Sequence, residues 1–95
     1  MEISVIPVGS KTTSISDYVA EAVRVLEKEG VKYEVTAMGT IVEGELKELF
    51  QLAEKMHRAV FRKGAVRVIT SVKIDDRRDK TLSVKSKVEA VKEKL

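Results

Sequence analysis

Apolar and polar residues alternate from the start of the chain, with Ile3 and Val5 on one side and Ser4, Ile6 and Val8 on the other. This period-two pattern predicts a strand buried mainly on one face. Pro7 cannot donate to a ladder, so the strand ends close to it, and "GSKTTS" follows as a polar loop. Ser14 and Asp17 resemble a capping box with Asp in place of the usual Glu or Gln. They open a helix whose apolar positions Ile15, Val19, Ala22, Val23 and Leu26 recur at helical spacing, and Gly30 stops it. "VKYEVTAM" reads as a second strand, Gly39 and Thr40 as a tight turn, and "IVEG" as a short third strand. Glu45 and Glu48 then fall in the first turn of a second helix, where carboxylates favour the positive end of its dipole. Its apolar stripe runs Leu46, Leu49, Phe50, Ala53, Met56 and Val60, and it ends near Gly64. "AVRVITSVKID" alternates with Val66, Val68, Thr70, Val72 and Ile74 on one face, a long fourth strand. After "DRRDK", Val84, Val88, Val91 and Leu95 mark a third helix.

The order β-α-β-β-α-β plus a terminal helix predicts an α+β, ferredoxin-like domain over residues 1–95. An antiparallel sheet carries two helices on one face and leaves the other open. Ile6, Val8 and Ile69 belong to that open face, so pairing into a homo-oligomer is expected. The third helix, basic at Lys85, Lys87, Lys92 and Lys94, is placed to cover part of it. Strands one and two run one way, and strands three and four the other. Glu43, Asp75 and Asp76 therefore gather at one end of the sheet around Glu2, with Thr40, Ser10, Thr12 and Thr13 expected at the other.

Composition narrows the function. No apolar run approaches the ~20 residues that span a bilayer, and "MEISVIPVG" lacks the basic-then-apolar layout of a signal peptide, so a cytoplasmic protein without membrane contact is expected. With no Cys and one His, thiolate catalysis, thiolate metal sites and multi-His zinc sites are excluded. The net charge of +3 comes from 18 basic and 15 acidic residues mixed along the chain, a weak signal for nucleic acid. RNA-binding sheets of similar topology stack aromatic side chains on bases, and "EISVIPV" and "IVEG" contain none. There is no glycine-rich phosphate loop or nucleophile elbow, and "PVGSKTTS" lacks the arginine of ferredoxin-like acylphosphatases. A non-enzymatic protein without cofactor or metal is expected.

Two acidic stretches remain, "MGTIVEGE" at 38–45 and "KIDDRRDK" at 73–80. One reading is turn chemistry, in which Glu43 and Glu45 cap a helix and Arg77 and Arg78 tie nearby carboxylates. The other is recognition of a cationic or amine-bearing ligand, since hydrogen bonds to carboxylates are stronger and more directional than neutral ones. His57 borders the apolar face of the second helix, as a half-buried structural residue or as a ligand contact.

The run "IPVGSKTTSISDYVAEAVRVLEKEGVKYEVTAMGTIVEGE", then His57, then "RVITSVKIDDRRDK", resembles the small thiamine-binding proteins of YkoF-like, ferredoxin-like fold. Met38-Gly39-Thr40 with Glu43-Gly44, and Lys73 to Asp79, are its most diagnostic parts. Gly9-Ser10 stands where relatives carry Gly-Thr, which keeps a hydroxyl. The resemblance implies a non-catalytic homodimer or homotetramer that binds thiamine or its hydroxymethylpyrimidine part, in vitamin sensing, buffering or transport. It implies Thr40, Glu43, Asp75 and Asp76 as ligand residues, with His57 as a further contact. A structural or regulatory oligomer without a small ligand is the alternative.

Overall fold

The computed structural model describes residues 1–9, 15–79 and 84–95, and all but the side chains of Val84 and Lys85 among them. The elements run β1 (Glu2–Pro7), α1 (Ile15–Glu29), β2 (Tyr33–Thr36), β3 (Gly39–Val42), α2 (Leu46–Arg62), β4 (Val68–Lys73) and α3 (Val84–Lys94). The strands form one antiparallel sheet in the order β2-β3-β1-β4. This is the ferredoxin-like arrangement, extended by α3. The capping box proposed at Ser14 lies outside the described residues.

β1 pairs with β4 along its whole length, from Glu2 opposite Lys73 to Pro7 opposite Val68. Pro7 is the strand's last residue, and the ladder passes it with Val8 N donating to Arg67 O at 2.8 Å. Ile3 and Val5 turn to the face where α1 and α2 pack. There they join Tyr18, Ala22 and Leu26 of α1 and Leu49, Leu52, Ala53, Met56 and Val60 of α2 in one core. Ser4, Ile6 and Ile69 occupy the other face, where Ile6 and Ile69 pair across β1 and β4 and keep 44% and 48% of their exposure.

Both long helices stop in the same way. Gly30 N donates to Glu27 O and Val31 N to Leu26 O. At the end of α2, Gly64 N donates to Phe61 O and Ala65 N to Val60 O. These are Schellman closures, with glycine in the left-handed region (φ 69° and 115°) and an apolar residue returned onto the helix's last core position. Val31 and Ala65 thereby extend the core.

The hairpin between β2 and β3 differs from the expected one. Its turn is Ala37-Met38, and Gly39 opens β3 opposite Thr36. Thr36 Oγ1 closes the turn by donating to Gly39 O at 2.7 Å and accepting from Met38 N at 3.3 Å. A threonine side chain supplies the turn chemistry that the sequence pattern assigned to glycine. β3 then ends at Val42 rather than reaching Gly44, and β4 is limited to six residues. The α2 stripe also differs: Leu46 and Phe50 are exposed, while Leu52 and Ala59 are buried. The apolar positions of α3 stay open to solvent, since Val88, Val91 and Leu95 are all exposed. No helix among the described residues is long and apolar enough to cross a membrane.

Candidate functional site

The sheet has one chemically dense end. β3 and β4 both run toward it on either side of β1. Met1 extends the β1–β3 ladder there, its nitrogen donating to Val42 O at 2.9 Å and its carbonyl accepting from Val42 N at 2.8 Å. Beyond the strand ends the chain carries Glu43 on one side and Asp75 and Asp76 on the other, as the strand directions require. α3 lies against the same end. Together they bound a groove of about 1010 Å³, open to solvent. Its floor and walls are apolar at Ile41, Val42, Leu49, Ile74, Val88 and Val91, and Glu2, Glu43, Asp75, Asp76, Lys73, Lys87 and Lys92 charge its rim. This volume is at the upper end of the roughly 300–1,000 Å³ of small-molecule sites.

Every carboxylate of the two acidic stretches that reaches the groove has a basic partner. Glu43 lies 3.4 Å from Lys32 Nζ. Asp76 accepts from Arg78 Nη2 at 3.1 Å, and neighbouring Asp79 takes Arg77 Nε at 2.6 Å. Asp75 accepts from Lys87 Nζ, which reaches it from α3. That hydrogen bond and the Lys87 charge hold the Asp75 carboxyl below its ordinary value of 3.8. The same carboxylates raise the Arg77 and Arg78 guanidinium pKa values, chiefly through their hydrogen bonds to Asp79 and Asp76 respectively.

The geometry separates the two readings of the acidic stretches in part. Arg77 and Arg78 do tie nearby carboxylates. Glu45, however, is the N-cap residue of α2 without a side-chain cap hydrogen bond, so capping does not account for it, and Glu43 lies beside Lys32.

The structure brings together three of the five sequence-derived ligand residues, Glu43, Asp75 and Asp76. Thr40 lies outside the groove. It is 4% exposed, opposite Ile3 on the helix-covered face, one residue from groove-lining Ile41. The expectation that Thr40 sits at the far end of the sheet is also corrected, because β3 is only four residues long and spans roughly 10 Å. His57 is likewise outside the groove. It is half-buried, with Nδ1 2.6 Å from Thr70 Oγ1 and its ring edge-on to Phe61 at 5.2 Å, and it joins α2 to β4. Lys87, Leu49 and Val42 line the groove although the sequence did not mark them as ligand residues. The basic, valine-striped pattern of the third helix was the one signal pointing to Lys87.

Comparison with known proteins gives a consistent picture. A family model described as "Thiamine-binding protein" matches residues 1–92. The UPF0045 protein of Methanothermobacter thermautotrophicus is 50% identical over 99% of this chain and 96% of its own length. The UPF0045 protein YqgV of Bacillus subtilis is 45% identical over 99% and 94%. The crystal structure of MJ1052 from Methanocaldococcus jannaschii superposes with a TM-score of 0.86 at 40% identity, covering 97% of this chain and 93% of that one.

Proposed function

Because the chain belongs to the thiamine-binding protein family, we propose that its groove binds thiamine, or the hydroxymethylpyrimidine part of it, without chemical conversion. The observation that carries this reading is the convergence of Glu43, Asp75 and Asp76 on one apolar-floored groove of ligand size. Thiamine is an aminopyrimidine joined to a cationic thiazolium. Carboxylates at the rim favour the cation and accept from the pyrimidine amine, while Ile41, Ile74, Val88 and Val91 cover the ring faces. The assembly is a cytoplasmic homodimer or homotetramer formed through the open sheet face, where Ile6 and Ile69 lie exposed side by side. Thr40 supports the site from behind β3, and His57 fixes α2 on β4.

A second reading has its own observation. The three carboxylates already hold basic partners within the chain, which suits a structural or regulatory oligomer without a ligand. Titration calorimetry of the chain with thiamine and with hydroxymethylpyrimidine separates the two. Saturable heat with either compound supports the binding protein, and no heat with both at millimolar concentration supports the structural one.

A further inference from the structure

We propose that Lys87 is a built-in competitor for the groove: its ammonium occupies Asp75 and fastens α3 across the opening, and a cationic ligand enters by taking its place. The inference rests on the reading of the groove as a thiamine site.

Three observations lead to it. First, the carboxylates are paired in different ways. Asp76 is held by Arg78 two residues along the chain, and Glu43 lies beside Lys32, just ahead of β2. Asp75 is held from across the groove, by a residue of α3 twelve positions away. Second, among the described residues this is the ion pair that joins α3 to the rest of the chain. Every described α3 side chain is exposed, including Val88 at 46% and Val91 at 57%. The helix therefore rests on the groove without being built into the core. Third, both partners are well solvated, with side-chain exposures of 60% for Lys87 and 56% for Asp75. A pair this exposed contributes little and exchanges readily.

Replacing the ammonium by a thiazolium leaves the charge of the groove unchanged. The ion pair lost with Lys87 is regained with the ligand. The exchange at Asp75 therefore adds little salt dependence to binding of a cation by the parent chain, although the rim is charged. An uncharged ligand cannot make this exchange, so Lys87 acts on cationic ligands alone. Lys87 is thus a specificity-determining residue that keeps weakly bound cations out and releases α3 when thiamine binds.

The test is calorimetric titration of the parent and of Lys87→Gln with thiamine and with uncharged hydroxymethylpyrimidine, each at low and at physiological salt. Lys87 is exposed, so the substitution leaves the core intact. Removing the competitor is expected to tighten thiamine about two- to fivefold, the span of an exposed ion pair. It should also make thiamine affinity fall with salt more steeply than in the parent, because a net ion pair now forms on binding. Hydroxymethylpyrimidine should bind both proteins alike. Unchanged thiamine affinity in Lys87→Gln overturns the competition while the thiamine reading stands. Equal tightening of both compounds also overturns it, since α3 then obstructs by bulk rather than by charge. Absence of binding by both proteins overturns the thiamine reading and the competition together.

Discussion

Glu43→Gln probes the ligand site at its most sheltered carboxylate. The Glu43 side chain keeps 27% of its exposure, against 38% for Asp76 and 56% for Asp75. Water screens its contacts least, so the loss of its charge is the most informative. A hydrogen bond to a charged group contributes about 1.5–3 kcal/mol when well formed. Partial solvation and the competing Lys32 ammonium at 3.4 Å reduce that to about 1–2 kcal/mol here. Since 1.4 kcal/mol is tenfold in affinity, thiamine should bind about 5- to 30-fold more weakly to the variant by titration calorimetry. Folding should change less. The amide keeps the shape of the carboxylate, and the Lys32 pair is exposed on the lysine side at 74%. A pair of that kind is worth at most about 1 kcal/mol, a melting-point loss under roughly 8 °C for a chain of this size. Affinity within twofold of the parent would show that Glu43 does not touch the ligand. A collapse of the melting point together with lost binding would assign it to the fold instead.

Two further outcomes follow from the same geometry. With Ile6 and Ile69 exposed on an open sheet face, sedimentation should give a dimer or tetramer that Ile69→Lys disperses, whereas a 10.6 kDa species of the parent at micromolar concentration contradicts the assembly. The Asp75 carboxyl is held below 3.8 by Lys87, so what the pair contributes is present above that value and is lost only as the pH falls through the lowered one. The part of the pH-dependent shift in the α3 backbone resonances of Val88 to Lys92 that Asp75→Asn abolishes should therefore be centred below 3.8, and a centre above 3.8 for that part contradicts the pairing of Lys87 with Asp75.

The sequence pattern was most informative where a local rule decided the structure. The alternation of Ile3 and Val5 named the buried face of β1, and Gly30 and Gly64 sit at the left-handed closures of α1 and α2. Strand directions followed from topology, so the gathering of Glu43, Asp75 and Asp76 was also legible. Three-dimensional context decided the rest. Ala37-Met38 carries no turn signature, and the hairpin depends on the Thr36 hydroxyl. Phe50 and Leu46 keep the helical period of α2 yet lie beyond the edge of its buried stripe, whereas Ala59 lies inside it, a position that residue type alone does not reveal. The stripe of α3 had the period of a buried face, but Val88, Val91 and Leu95 stay exposed, the first two on the wall of the groove. His57 and Thr70 are thirteen residues apart on different elements, a contact that no spacing rule predicts. The same is true of Lys87 and Asp75, so the groove's third wall became visible only in the structure.

The most direct test of the groove as a thiamine site is a two-dimensional amide spectrum of the isotope-labelled chain recorded during titration with thiamine. The account predicts saturable shifts at Glu43, Gly44, Ile74, Asp75 and Asp76, together with Val88 and Val91 of α3, which line one groove. Gly64, at the far end of α2, should stay unmoved. Shifts confined to Ile6 and Ile69 on the open sheet face, or a spectrum unchanged at millimolar thiamine, would contradict it.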